Sequence, residues 1–215
     1  MISSAEPQFL DQVWKDTWDR VKSAHVASTG QEPALWRKAG RTTKANPDGE
    51  DETWWLEEGR KMLDSWVQFR TGGLGWSVWE TPDGKPAIEI SMTPYMGDVP
   101  VQMGIDRVMV TPDGELVIVD LKSGKYTPSS DLQLALYAVG MEKTFGIRPR
   151  YGTYWMARSG TTSPLIDLDF YTTNMIEKIV GDFDRARKGA LFIPNYNHCK
   201  MCGFKTECEW NKEGK

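Results

Sequence analysis

The stretch from Leu116 to Lys122 is apolar on both of its alternating faces and becomes charged only at its end, at Asp120 and Lys122. Because side chains alternate across a β-strand, Ile118 shares the face of Asp120, whereas Leu121 points to the other face. A strand that is apolar on both faces has to be covered on both, as in a sheet between helices. The sequence therefore predicts an α/β (or α+β) fold in which a central mixed β-sheet is flanked by helices.

The spacing of apolar residues along the chain predicts further elements on either side of this strand. In chain order they are a helix over 8–24, a mobile loop over 40–52, a helix over 54–70, strands near 75–80, 86–92, 101–110 and 115–121, a helix over 130–145, a strand near 150–158 and a helix over 173–189. We divide the chain into an N-terminal helical region with the loop (1–53), a core (54–190) and a C-terminal cysteine-rich segment (191–215).

A second aspartate, Asp106, lies in a stretch that also has strand character. The turn-forming residues 111–115 predict a hairpin that places Asp106 across from Asp120. Carboxylate oxygens suit Mg²⁺ or Mn²⁺, so the two acids are candidate metal ligands, with Glu89 on the preceding strand as a third. Beside them, Lys122 is placed to orient a water molecule or to stabilise developing negative charge. An Asp-x-Lys at a strand end is common by itself, and only the ordered set of motifs is specific.

The helix that follows the Asp-x-Lys strand carries two polar residues among apolar ones. Gln133 and Tyr137 are four residues apart, so they share one face of the helix. The sequence predicts that this face is turned towards the acidic site or a DNA strand. Residues 129–131 are suited to cap the start of the helix, and Gly146 to end it.

All three cysteines of the chain lie near its C-terminus, at Cys199, Cys202 and Cys208. Two thiolates separated by two residues bind one metal ion from a single turn, which Gly203 makes possible. Three clustered cysteines in a chain with no others argue against a disulfide framework. The alternative is that they are free or buried thiols.

The ordered set of acidic, lysine and Gln-x-x-x-Tyr motifs resembles the PD-(D/E)xK nuclease superfamily in its RecB-like branch. That branch includes the nuclease domains of bacterial recombination helicases, the CRISPR-associated exonucleases and related phage exonucleases. The resemblance covers roughly residues 54–210 and implies a metal-dependent DNA nuclease with a restriction-endonuclease-like core. By matching motif, it implies that Asp106 and Asp120 are metal ligands and that Glu89 is an accompanying acid. It also implies that Lys122 is the catalytic lysine, and that Gln133 and Tyr137 form the Gln-x-x-x-Tyr helix motif.

The cysteine spacing, preceded by Phe192-Ile193-Pro194-Asn195, also resembles the RecB-like exonucleases. In that branch a fourth cysteine from the N-terminal region completes a four-iron, four-sulfur (4Fe-4S) cluster. This chain has no fourth cysteine, and its two histidines, His25 and His198, are the candidate replacements. Three thiolates and one imidazole form an ordinary tetrahedral Zn²⁺ site, and an iron–sulfur cluster with one non-cysteine ligand is the other interpretation.

The resemblance also implies a histidine on the helix over 54–70, but Leu63 stands where it would be expected. Acidic residues of the same helix are candidate substitutes as ligands, and the ordinary interpretation of such residues is a solvated helix face. They are Glu57, Glu58 and Asp64.

Composition sets outer bounds on the function. With 40% hydrophobic and 26% charged residues, the chain has the balance of a globular protein, without a membrane-spanning stretch or a signal-peptide pattern. We expect a cytoplasmic protein, in which thiolates stay reduced. The net charge of −4 is unusual for a DNA-binding protein and requires the basic residues to be clustered locally.

From these observations we expect a Mg²⁺- or Mn²⁺-dependent DNA exonuclease acting on single-stranded or double-stranded ends. The resemblance implies a role in phage or bacterial recombination, in DNA-end processing or in CRISPR adaptation, with recombination or CRISPR-adaptation proteins as partners. The alternatives are a structure-specific or nicking endonuclease, and a catalytically silent DNA-binding or assembly module that retains the fold.

Overall fold

The computed structural model describes residues 7–33, 44, 49–189 and 207–208. The described helices are α1 (Pro7–Thr29), α2 (Glu52–Gln68), α3 (Leu132–Phe145) and α4 (Thr173–Lys188), and α2 continues into a π-helical turn over Phe69–Gly73. The described strands are β1 (Ser77–Val78), β2 (Ile88–Met92), β3 (Tyr95–Met96), β4 (Val99–Pro100), β5 (Met103–Val110), β6 (Leu116–Lys122), β7 (Tyr151–Met156), β8 (Thr161–Thr162) and β9 (Ile166–Asp167).

Within the described residues, seven strands form one mixed sheet in which β5, β6 and β7 are central. The sheet runs in the order β1-β5-β6-β7-β8, while β2 also pairs with β5 and β9 with β7. Strands β6 and β7 are parallel, with α3 as the connection between them, and the other pairs of this sheet are antiparallel. Strands β3 and β4 form a separate two-stranded hairpin.

The two faces of β6 pack against different helices, as the alternation of its residues predicts. Ile118 lies in a cluster with Leu134 of α3 and Ile176 of α4. On the other face, Val119 packs in a second cluster with Trp66 of α2. Both Ile118 and Val119 are fully buried, which confirms that the sheet is covered on both sides near the charged end of β6.

Local sequence explains where the elements begin and end near this site. The β5–β6 turn closes through Gly114, which has a φ of 85° and donates its N–H to the carbonyl oxygen of Thr111. Helix α3 ends at Gly146 in the left-handed conformation, as predicted, and the Gly146 N–H donates to the Glu142 carbonyl. At its start, the N-cap residue Asp131 makes no side-chain capping bond, whereas the Ser130 hydroxyl accepts from the Leu132 N–H at 3.3 Å.

The structure also differs from the sequence-based predictions in several places. Helix α1 is longer than predicted, and the four two-residue strands β3, β4, β8 and β9 were not predicted, because two residues carry no periodic signal. The predicted mobile loop over 40–52 is described only at 44 and from 49 onwards. At its end Glu50 is 5% exposed and α2 begins at Glu52, so this end of the segment is anchored. None of the described helices is long and apolar enough to cross a membrane.

Candidate active site

The β5–β6 hairpin brings Asp106 and Asp120 together. The last registered pair of the two strands is Arg107 with Val119, and one further step along the same register places Asp106 opposite Asp120. The Asp106 carboxylate oxygen Oδ2 accepts a hydrogen bond of 2.7 Å from the Leu121 N–H, the amide that follows Asp120. The predicted juxtaposition of these two acids is therefore present in the structure.

Asp120 is the more deeply buried of the two acids, with 3% of its surface exposed. Its Oδ2 lies 2.5 Å from Lys122 Nζ, but outside hydrogen-bond geometry, so this buried oxygen has no hydrogen-bond partner among the described residues. Burial raises the pKa of Asp120, an effect that the Lys122 ammonium opposes and the Asp106 carboxylate reinforces. The Lys122 ammonium offsets part of the cost of burying this carboxylate, and a divalent cation bound there would offset more of it.

Lys122 connects the acidic pair to helix α3. Its ammonium donates to Gln133 Oε1 at 3.1 Å, and Gln133 Nε2 donates to the Tyr137 hydroxyl at 2.8 Å. The Gln133 amide is thus oriented by both neighbours, with its oxygen towards the ammonium. Burial raises the pKa of Tyr137, so its hydroxyl stays protonated. The predicted lysine and the Gln-x-x-x-Tyr pair belong to one hydrogen-bonded chain.

A cleft of about 510 Å³ adjoins this chain of side chains. Gln133 and Tyr137 line it from α3, and Gly104 lines it from the start of β5. A Cβ atom added at Gly104 would meet no atom within 4 Å, so packing within the described residues does not require glycine there. The absent side chain leaves that wall of the cleft open.

Tyr154 is a residue of this region that sequence reasoning missed. It lies on β7 in register with Asp120, and its ring centroid is 5.8 Å from Lys122 Nζ. Its hydroxyl donates to the Ser130 carbonyl at 3.2 Å, and burial raises the pKa of Tyr154 to about 12. In the sequence, Tyr154 is only an aromatic residue in an apolar strand. It lies near the site because β6 and β7 pair in parallel with Tyr154 in register with Asp120.

Glu89, the predicted third acid, does not join the aspartate pair in the structure. Its side chain is 71% exposed and its Oε1 accepts from Arg107 Nη1 at 3.1 Å. The Arg107 guanidinium lies over the ring of Trp66, which packs with the α2-side cluster of the sheet. Glu89 also has a φ of 51°, a left-handed conformation that costs free energy for a residue with a side chain. Its role as a ligand stays a prediction.

The residues predicted for a second metal centre lie mostly outside the described residues. His198, Cys199 and Cys202 belong to that part of the chain, while Cys208 is described and half-buried. His25 lies on the exposed side of α1, and its carbonyl oxygen accepts from the hydroxyls of nearby residues in the same helix. Among the described residues, no three histidine, cysteine, aspartate or glutamate side chains are grouped to hold a metal ion. The zinc and iron–sulfur interpretations therefore both stay predictions.

Two of the acidic residues of α2 that were candidate replacements for a histidine have basic partners on their own helix. Glu58 pairs with Lys61 at 2.5 Å, and Asp64 pairs with Arg60. Glu57 is exposed to solvent. These contacts fit the solvated helix face that we considered as the ordinary interpretation.

The chain is similar to known proteins along most of its length. The family model of the PD-(D/E)XK nuclease superfamily matches residues 3–209, a range that contains every residue of the candidate site. The Gene 69 protein of Mycobacterium phage D29 is 32% identical over 157 residues, which are 70% of this chain and 57% of that protein. The chain thus spans a little over half the length of this relative.

Proposed function

Because the chain belongs to the PD-(D/E)XK nuclease superfamily, we propose that it is a divalent-metal-dependent exonuclease that hydrolyses phosphodiester bonds at DNA ends. The observation that supports this best is the convergence of three groups: the Asp106 carboxylate, the buried Asp120 carboxylate on the adjacent strand, and the Lys122 ammonium 2.5 Å from Asp120 Oδ2. We place this activity in phage recombination or DNA-end processing, and the similarity to a phage protein supports the phage setting.

The donor set fits Mg²⁺ or Mn²⁺. Both ions prefer oxygen ligands, and Asp106 and Asp120 offer carboxylate oxygens from adjacent strands of one hairpin. Asp120 Oδ2 accepts no hydrogen bond of regular geometry among the described residues, so its contact with the Lys122 ammonium leaves lone-pair capacity for a metal ion. When bound, a divalent ion would polarise the scissile phosphate and lower the pKa of a coordinated water molecule.

The other side chains of the site have separable tasks. Lys122 holds a positive charge beside Asp120, where it stabilises the negative charge that develops on the phosphate or orients the attacking water. Gln133 fixes the direction of the Lys122 ammonium by accepting a hydrogen bond from it. Tyr137 orients Gln133, and both residues line the cleft that receives the DNA strand in this proposal.

The decisive experiment measures degradation of linear double-stranded DNA by the full chain with Mg²⁺, with Mn²⁺ and with a chelator. We expect degradation only with metal, and Asp120→Asn should lower its rate at least about 10³-fold, since a metal ion contributes several kcal/mol to the transition state. Asp182→Asn is the matched control, because Asp182 is an exposed acid on α4 that pairs with Lys178. An Asp120→Asn variant as fast as its parent would overturn the site assignment.

The choice of substrate tests the exonuclease part of the proposal separately. A chain that degrades linear DNA but leaves closed circular DNA intact acts from ends. Conversion of the closed circle into nicked or linear forms would identify an endonuclease. Metal-independent DNA binding without any cleavage would identify a silent binding module.

A further inference from the structure

A buried ion pair links the segment before α2 to the end of β7. Glu50 is 5% exposed, and its two carboxylate oxygens accept from the two terminal nitrogens of Arg158, at 3.0 and 2.8 Å. The two residues are 108 positions apart in the chain. The hydrogen bonds from Arg158 hold the pKa of Glu50 below its ordinary value although burial opposes this, so Glu50 is ionised at neutral pH.

The same guanidinium has an acceptor for its third nitrogen and contacts two aromatic rings. Arg158 Nε donates to the carbonyl oxygen of Ser123 at 2.7 Å, and the rings of Trp54 and Trp55 lie 4.8 and 5.2 Å from the guanidinium carbon. All three guanidinium nitrogens therefore have acceptors. We call Glu50 and Arg158 together the buried clamp.

The buried clamp contacts the chain directly after the Asp-x-Lys motif. Ser123 is the residue that follows Lys122, and Lys125 of the same loop lies 3.6 Å from Glu50. The Lys122 carbonyl also accepts from the N–H of Ala157, the residue before Arg158, at 2.9 Å. The main chain on the C-terminal side of Lys122 is thus held by two successive residues of the β7 end.

We propose that the buried clamp positions Lys122 for the cleavage step, by fixing the loop over 123–125 through the Ser123 carbonyl. This inference rests on the proposed nuclease function. Glu50 and Arg158 act as positioning residues, because neither touches the acidic pair or lines the cleft. The Lys122 ammonium reaches Asp120 and Gln133 from a long, flexible side chain, so a displaced main chain would move the charge away from both.

A buried ion pair is poorly suited to a role in stability alone. Removing the Glu50 carboxylate and most of the Arg158 guanidinium from water is costly, and well-packed apolar side chains of similar volume often serve stability as well or better. What a guanidinium adds is a rigid fork that fixes three acceptors in one plane. Here two of those acceptors belong to Glu50 and the third to the backbone beside Lys122. The Glu50 carboxylate therefore orients the guanidinium, and the guanidinium in turn holds the main chain beside Lys122.

The matched pair Arg158→Lys and Arg150→Lys tests this proposal in the full chain. Arg150 stands before β7 as Arg158 stands after it, and it also stacks on an aromatic ring and pairs with a carboxylate, but at the far end of the strand. We expect Arg158→Lys to lower the single-turnover cleavage rate at saturating linear DNA about 10–100-fold, the usual effect of losing an outer-shell support. The Kd for DNA and the Kd for Mn²⁺ measured by calorimetry should stay within about twofold of the parent. Arg150→Lys should leave all three quantities unchanged.

Glu50→Gln provides a second variant, because it preserves the shape of the carboxylate and weakens its bonds to Arg158. We expect a rate loss of similar size. If Arg158→Lys and Glu50→Gln lose activity only in proportion to the folded protein seen by circular dichroism, the clamp is structural and the proposal is overturned. A loss of Mn²⁺ affinity that accounts for the rate loss would also overturn it, since the clamp would then support the aspartates instead of Lys122.

Different results would refute the proposed function and the role of the clamp. A parent chain that cleaves no DNA with either metal would refute the proposed function and with it the role of the clamp. A parent that is active and loses activity in Asp120→Asn, but tolerates Arg158→Lys as well as Arg150→Lys, would refute the clamp alone.

Discussion

At the scale of single residues, the two aspartates of the site differ in their hydrogen-bond partners. Asp106 has a backbone donor in the Leu121 N–H, while among the described residues the buried Oδ2 of Asp120 contacts the Lys122 ammonium, at 2.5 Å and without regular hydrogen-bond geometry. Burying this carboxylate costs free energy that the ammonium offsets in part. The divalent cation that we propose would offset the remainder.

The role of Lys122 can be separated from that of the aspartates by kinetics. We expect Lys122→Met to lower the cleavage rate about 10²–10³-fold, the range seen when one charge-stabilising donor is removed from an active site. DNA binding should persist, because the aspartates, Gln133 and Tyr137 stay in place. The measurement is a single-turnover rate beside a DNA-binding titration.

Lys178→Met is the control for Lys122→Met, since Lys178 is an exposed lysine on α4 paired with Asp182. It should cleave DNA as fast as the parent. Equal rates for the parent and Lys122→Met would remove the lysine from the proposed mechanism.

At the scale of elements, α1 is joined to the rest of the fold through α2. The Trp14 ring packs directly over Gly59, and Trp14 Nε1 donates to the Leu56 carbonyl at 2.9 Å. Arg60 of α2 adds an ion pair to Asp11 at 2.5 Å. Helix α2 in turn packs on the sheet through Trp66, which contacts Trp155 edge-on with ring centroids 5.0 Å apart. Helix α2 therefore lies between α1 and the sheet.

Because Trp14 contacts Gly59 directly, we expect the single methyl group added by Gly59→Ala to lower the stability of the fold. A Cβ at position 59 would overlap the Trp14 ring, so Gly59→Ala has to displace the ring and break its bond to Leu56. We expect a loss of about 1–3 kcal/mol in the free energy of unfolding, as for other overpacked sites. Chemical denaturation followed by fluorescence and circular dichroism would measure it.

Gly181→Ala is the matched control for Gly59→Ala, because Gly181 also lies inside a helix but has space for a Cβ beside the flexible end of Arg185. There the higher helix propensity of alanine should raise stability by up to about 1 kcal/mol. The same sign of change at both positions would contradict the packing argument.

At the scale of the whole molecule, stability depends on interactions between distant segments. Glu142 of α3 accepts from Arg148 and from Thr173 at the start of α4, each at 2.7 Å. The buried clamp joins the segment before α2 to the end of β7 in the same manner. Both networks depend on an ionised carboxylate, so the stability of the folded chain should depend on pH in the acidic range.

The contribution of Glu50 gives this pH dependence a definite sign. The Arg158 bonds, with Lys125 nearby, lower the pKa of Glu50 in the folded chain below the ordinary 4.5. Its contribution to stability is thus present above the unfolded-state pKa and is lost as the pH falls through the folded-state pKa. We expect the difference in unfolding free energy between the parent and Glu50→Gln to be constant near neutral pH and to shrink as the pH falls below the ordinary pKa of 4.5 and through the lower folded-state pKa. A difference that grows on acidification would contradict this assignment.

Metal binding should also be visible as stabilisation of the whole fold. A ligand that binds only the folded state adds about 2.7 kcal/mol at a hundredfold excess over its Kd. For a chain of this size that corresponds to a rise in Tm of several degrees. Both proteins are first treated with a chelator that removes other metals. We then expect Mn²⁺ to raise the Tm of the parent but not that of the Asp120→Asn variant. A rise of equal size in both proteins would place the metal elsewhere.

The sequence alone determined the parts of the site that depend on short-range geometry. Strand alternation placed Asp120 and Lys122 on one face, a five-residue turn placed Asp106 opposite, and helical spacing joined Gln133 to Tyr137. These relations follow from the fixed periods of strands and helices and from the length of one hairpin. They need no knowledge of how distant segments pack.

The tertiary structure decided the contacts between segments that the chain does not connect closely. The pairing of Glu89 with Arg107, in place of the aspartates, depends on the local backbone conformation at Glu89 and on the packing of Arg107 over Trp66. The Glu50–Arg158 contact joins residues that no motif relates. Long-range pairs are set by the way elements pack on the sheet, and no local period of the sequence encodes them.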